Sequence, residues 1–226
     1  MNMKRTRKLL GLLSLPVVML FLPMALPAQE SVKSIEAPKI RIAVVPFQTL
    51  IPQDGSSTVR CPICASVNSS GTIVKGAERI VEDIFTEKLK ELKNAEMISS
   101  ERAAGFYRRI SADSLKQPFL KVVQKVGAEL KADVIAVGFV YRYRERVGYD
   151  YSAERPASVA FEIHLISVKD GSSLWRGIYD ETQKSLMENV FQVKSFVKGG
   201  GKWLTAREFS RLGVDEVFKT FSGFEK

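Results

Sequence analysis

Three stretches near the middle of the chain carry the hydrophobic pattern of β-strands, and they follow one another directly: ADVIAVGFVYRYRERVG, PASVAFEIHLISVKDG and SSLWRGIYDETQ. In the first, Val134 to Phe139 is apolar at every position, which predicts a central strand covered on both faces. From Tyr141 it turns amphipathic and is expected to leave the covered part of the sheet. In the second, Val159, Phe161, Ile163 and Leu165 alternate with Ala160, Glu162 and His164, the period of a half-buried strand. Asp170-Gly171 supplies turn chemistry, because glycine accepts positive φ. Leu174 to Asp180 then returns as the last strand.

Ahead of these strands the pattern is mixed. IRIAVVPF, from Ile40 to Phe47, reads as a short buried strand closed by Pro46. Between Lys75 and Leu92 the positions Ala77, Ile80, Val81, Ile84, Phe85, Leu89 and Leu92 recur at helical spacing, with charged residues on the other side. Glu96 to Ile98 is a short strand, Ser100 opens a helix to about Arg109, and Pro118 opens another, striped by Phe119, Val122, Val123, Val126 and Leu130. Behind the strands, Ser185 with Glu188 and Thr205 with Glu208 have capping-box spacing, and Phe209, Leu212, Val217, Phe218 and Phe221 stripe a last helix. The predicted fold is α/β (α+β), a mixed sheet in the order β-α-β-α-α-β-β-β with helices packed on it and a C-terminal helix.

The first 28 residues stand outside that fold. Lys4, Arg5, Arg7 and Lys8 precede an apolar run from Leu9 to Leu26, and Ala28 offers a small residue at a cleavage point, the pattern of a secretory signal. The expected organisation is a signal peptide over 1–28, a linker over 29–39, an α/β domain over 40–183 and a helical extension over 184–226. An uncleaved signal is the one route to membrane attachment by protein alone. Loss of the leader removes four bases and no acid, so the formal charge falls from +9 to +5. The remaining bases are scattered among acids and form no basic face with stacking aromatics, so nucleic acid is not an expected partner.

Gln48 to Ile73 reads as a long loop holding Cys61 and Cys64, the only cysteines, in a CPIC motif. A redox dithiol places its first cysteine at a helix N-terminus directly after a strand, which this loop does not offer. Zinc needs four ligands; two cysteines and the one histidine, His164, leave a site that two chains would have to share. Haem attachment wants a histidine after the second cysteine, where Ala65 stands. An exported compartment favours oxidation, so a local disulfide, or else a pair of thiols, bracing the loop is expected. His164 reads as a polar side chain on the less buried face of its strand. Lys198 to Lys202, KGGGK, lacks phosphate-loop spacing and reads as a hinge.

No constellation amounts to an active site, and no cofactor is implied. The aromatic and basic run Tyr141, Tyr143, Arg144, Tyr149 and Tyr151 is the candidate for partner contact, since tyrosine and arginine anchor interfaces.

RIAVVPF, the GAERIVEDIFTEKLKEL helix, the short strand with SER opening the next helix, ADVIAVGFV and the hairpin ending SSLWRGIYDE resemble, in their order, a family of exported bacterial proteins. That family includes the curli secretion lipoprotein, the lipoprotein activators of penicillin-binding proteins and the N-terminal domain of the Tol translocation protein. The resemblance covers Ile40 to Glu181, and PASVAFEIHLISVKDGSSLWRGIYDETQKSL with GGGKWLTAREFSRLGV is similar to uncharacterised lipoproteins of Gram-negative bacteria. It implies a non-enzymatic periplasmic accessory protein, associated with the outer membrane in some relatives, that binds another cell-envelope protein or its own copies. Gln29 stands where a lipoprotein carries its acylated cysteine, so a lipid anchor does not carry over. The alternatives are a thiol or metal protein working through Cys61 and Cys64 and a homo-oligomeric structural subunit.

Overall fold

The computed structural model describes residues 39–184 and 201–224. The signal segment and the Ser185 to Glu188 box lie outside those residues, as does most of the glycine-rich loop.

A sheet of six strands forms the middle layer. Its main path runs β10 (Ser173–Thr182), β9 (Ser158–Ser167), β6 (Val134–Arg144), β1 (Ile40–Val44), β5 (Ala95–Met97). The two-residue β2 (Gln48–Thr49) adds parallel to the middle of β6, at Phe139 and Val140. β1 pairs parallel with both β5 and β6, as helical crossovers require, while β6, β9 and β10 form the antiparallel meander. Four helices are described: α1 (Ala77–Lys90), α2 (Ser100–Ala112), α3 (Phe119–Glu129) and α4 (Ala206–Phe218). The element order anticipated from periodicity holds for the five main-path strands and the four described helices; short strands that it did not anticipate stand between β1 and α1 and between β6 and β9.

The two faces of the sheet bury separate cores. On one, Ile42, Val44, Phe161, Ile163 and Leu165 meet Val81, Phe85 and Leu89 of α1 and Phe209, Val214 and Val217 of α4. Trp175 stacks on Phe85 there, ring centroids 6.1 Å apart and planes within 1°. On the other, Ala43, Val45, Ile135, Val137 and Phe139 meet Ala103 of α2 and Val123, Val126 and Leu130 of α3, and Cys61 joins them. Both capping-box bonds of Thr205 and Glu208 are present at the start of α4. Gly171 has φ +77 in the β9–β10 connection, a conformation glycine adopts without strain.

Two expectations need correction. β6 does not leave the covered sheet at Tyr141 but continues to Arg144, with Tyr141 and Tyr143 both buried. β9 is not half-buried either: Ser158 to Ile166 is buried on both faces. For Tyr141, and for Glu162 and His164 of β9, the cause is shared. The segment after β1, read as an open loop, folds back over the sheet as the hairpin β3 (Thr58–Arg60) and β4 (Val67–Ser69). It is tied down at its entry by the Leu50 N–H donating to the Val140 carbonyl (3.0 Å) and at its exit by the Gly71 N–H donating to the Tyr141 carbonyl (3.1 Å).

Candidate metal centre

The CPIC turn caps that β3–β4 hairpin. The Cys61 N–H donates to the Ser66 carbonyl (2.9 Å) and the Ala65 N–H to the Cys61 carbonyl (3.0 Å), while Ala65 takes the left-handed conformation at φ 59. This winding folds the turn around its own sulphur: the Ile63 N–H donates to Cys61 Sγ over 3.4 Å. The hairpin sets Cys61 down on the sheet, 3 % exposed, and leaves Cys64 at the surface.

Beneath it lie Glu162 and His164. They point to the same face of β9 because they are two residues apart on a strand, and His164 sits directly across from Arg176 of β10 and Val137 of β6. The expectation that His164 occupies the less buried side is overturned, since its exposure is 1 % and that of Glu162 is 0 %. His164 Nε2 stands 3.3 Å from Cys61 Sγ and 3.0 Å from Glu162 Oε1, and Cys64 Sγ donates to Glu162 Oε1 over 3.1 Å. One ligand atom from each of Cys61, Cys64, Glu162 and His164 lies within 4.8 Å of all the others.

A β-bulge completes the surround of the carboxylate. Between Val140 and Arg142 the register of β6 against β9 slips by one residue, and the extra residue is Tyr141. Tyr141 keeps the α2–α3 side that Phe139 also faces, and its hydroxyl donates to Glu162 Oε2 at 2.7 Å. Ser66 Oγ (3.1 Å) and Asn68 Nδ2 (3.2 Å) donate to the same oxygen, and Arg176 Nε donates to Oε1. Burial alone would raise the Glu162 pKa; donation from His164, Arg176, Tyr141 and Cys64 overrides it and holds the carboxyl well below its ordinary range. Burial pushes the Cys61 thiol the other way, up to about 11. Tyr141 is raised by burial and by its bond to Glu162, so it stays a donor.

The cluster has the composition of a zinc-class site. Thiolate and imidazole donors select soft or borderline cations, and zinc bonds of about 2.0 to 2.3 Å set tetrahedral ligand atoms about 3.4 to 3.8 Å apart. The separations of 3.0, 3.1 and 3.3 Å fall a few tenths short of that while the group as a whole is bounded only by 4.8 Å, so a cation would draw the four atoms into place by small adjustments. Ligand carboxylates in such sites are normally held by further hydrogen bonds, a role Tyr141, Ser66 and Asn68 fill here.

The sequence-picked residues therefore divide. Cys61 and Cys64 meet, but as free thiols, and the expected disulfide is not formed. Tyr141 and Tyr143 are not at a surface: Tyr141 serves the cluster, and the bulge sends Tyr143 into the core on the α1 and α4 side. Arg144 is half-buried at the end of β6. Only Tyr149 and Tyr151 stand out, 81 % and 82 % exposed, on the hairpin of β7 (Val147–Tyr149) and β8 (Ser152–Arg155). Counting cysteines and histidines alone had required two chains to share a metal; the missing fourth donor is Glu162. Its signal was legible in VAFEIHLI, where an acid and a histidine two apart interrupt an apolar strand.

No protein-family model and no curated protein matches the chain. Among solved structures it is similar to the PelC dodecamer from Paraburkholderia phytofirmans, at 13 % identity over 80 % of this chain and 86 % of that one, with a TM-score of 0.46. It is also similar to lipoprotein GNA1162 from Neisseria meningitidis, at 13 % identity over 71 % and 96 %, with a TM-score of 0.40. The C-terminal domain of LpoB from Salmonella enterica follows at 11 % identity over 66 % and 87 %, with a TM-score of 0.37. One of these neighbours, GNA1162, is itself a lipoprotein; the likeness is one of chain trace alone. No described helix is long and apolar enough to cross a membrane.

Proposed function

We propose that this is an exported, non-catalytic accessory protein of the cell envelope, built around one zinc-class divalent cation held by Cys61, Cys64, His164 and Glu162. The observation that carries the metal reading is the convergence of four ligand atoms, from two distant parts of the chain, within 4.8 Å of one another. The cation fastens the β3–β4 hairpin to β9, and so fixes a surface segment on the sheet. Such a contribution is stabilising outright, because the donors come together only in the folded chain. The competing dithiol reading fits less well. A catalytic dithiol carries its nucleophile at a helix N-terminus, where the pKa is lowered, whereas the exposed Cys64 stands in the turn of a β-hairpin. Export is supported by the leader pattern of residues 1–28. For the partner, the exposed Tyr149 and Tyr151 favour docking of another envelope protein, or of a second copy, at the β7–β8 hairpin.

Cobalt titration of the purified protein tests the metal reading. Tetrahedral thiolate ligation gives a charge-transfer absorption that saturates at about one equivalent and is lost in Cys64→Ser. A spectrum identical to that of free aqueous cobalt sinks it.

A further inference from the structure

The two sulphurs of the site are unequal. Cys61 is enclosed by the hairpin and the sheet, its Sγ accepting from the Ile63 N–H and facing His164. Cys64 is at the surface, in contact with Ser66 Oγ (3.2 Å) and Glu162 Oε1 (3.1 Å). Both belong to one closed turn, and their sulphurs lie within 4.8 Å. A bound cation holds two thiolates about 3.8 Å apart, while a disulfide needs about 2.05 Å. One pair of sulphurs can satisfy either demand but not both.

Resting on the metal reading above, we propose that the site exchanges between two closed forms, a metal dithiolate and a Cys61–Cys64 disulfide, with a disulfide-bearing oxidant entering at Cys64. The Cys64 sulphur attacks one sulphur of the oxidant R–S–S–R; a Cys64–S–S–R bond forms, the oxidant's own S–S bond breaks, and one RS⁻ leaves. The Cys61 sulphur then attacks Cys64 Sγ, the protein disulfide forms, and the second RS⁻ leaves. The two cysteines have lost two electrons, the oxidant's sulphurs have gained them, and the cation departs as the dication because both its thiolates are consumed. In the metal-free protein the order is the same, since Cys61 is enclosed by the hairpin and the sheet and only Cys64 is open to an oxidant in solution.

The structural consequence is local. Glu162 keeps Tyr141, Asn68, Ser66 and Arg176 as donors after the cation leaves, so no buried carboxylate is stranded. The pins at Leu50 and Gly71 remain. What oxidation loosens is the segment between them, residues 51–70, which loses its tie to His164.

The test mixes zinc-loaded and metal-free protein with oxidised glutathione and follows zinc release with a chromogenic chelator and cysteine state by intact mass. Disulfide formation at least about tenfold slower in the loaded protein, with zinc released in step, is the expected result. Cys61→Ser traps a stable glutathione adduct on Cys64, and Cys64→Ser takes none on Cys61 over the same time. Adducts forming equally fast on either cysteine, or zinc retained by a protein whose cysteines are joined, overturn the exchange. Zinc uptake with equal oxidation rates sinks the exchange alone. A protein that takes up no zinc sinks the metal reading and the exchange together.

Discussion

The Tyr141 hydroxyl meets Glu162 Oε2 at 2.7 Å with both side chains buried, at a β-bulge whose extra residue is Tyr141. Regular alternation through Phe139, Tyr141 and Tyr143 would put all three on one face. The bulge separates them: Phe139 and Tyr141 stay over the cluster, and Tyr143 goes to the opposite core. Tyr141→Phe removes one neutral donor from a charged acceptor and costs about 1.5 to 3 kcal/mol of folding stability. Denaturant unfolding with an unchanged m-value checks it. The same substitution weakens cation binding by about tenfold or more through loss of carboxylate positioning.

Stability of the metal-free protein falls at both ends of the pH scale. Glu162 has a folded pKa below its ordinary 4.5, so the unfolded chain binds the extra proton; its contribution is present above that value and disappears as pH drops through the folded pKa. Cys61 is raised from 9.0 to about 11, so the folded chain binds the extra proton, and stability declines as pH rises across that interval. Thermal unfolding from pH 7 to 11 shows the alkaline decline in the wild type, and Cys61→Ala makes it shallower; Tyr141 and Tyr179, whose hydroxyls burial also raises, supply the remainder above pH 10. An alkaline limb unchanged in Cys61→Ala contradicts the assignment.

Gly138 is confined by a neighbour, not by its backbone angles. A Cβ placed there lies 2.3 Å from the Phe47 ring, which packs against β6 from the turn after β1. Gly138→Ala destabilises by about 1 to 3 kcal/mol, and the companion Phe47→Leu recovers part of the loss. Wild-type stability in Gly138→Ala would mean the ring moves freely.

Tyr149 and Tyr151 hold nothing in the core. Replacing both by Ser leaves stability within about 0.5 kcal/mol and lowers recovery of the crosslinked envelope partner severalfold. Undiminished crosslinking moves the docking surface elsewhere on the protein.

Periodicity alone carried the layout: the stripe of Val81, Phe85 and Leu89, the alternation in β9 and the Thr205–Glu208 box all correspond to elements in the structure. What periodicity could not carry was the covering of the sheet by the segment after β1. Its strands are three residues each, too short for any period to register. With that cover unseen, Glu162 and His164 looked solvent-facing and Tyr141 looked like surface. The bulge at Tyr141 is likewise invisible in the sequence, since nothing in YRYR marks where register slips. The site is made by tertiary contact between residues about a hundred positions apart.

That Cys61, Cys64, His164 and Glu162 hold one divalent cation is tested by elemental analysis of the protein purified without chelators. The account predicts close to one zinc per chain, falling by at least about tenfold in Cys64→Ser while the variant remains folded by circular dichroism. Metal below about a tenth of an equivalent in the wild type, unchanged after zinc is offered and dialysed away, contradicts it.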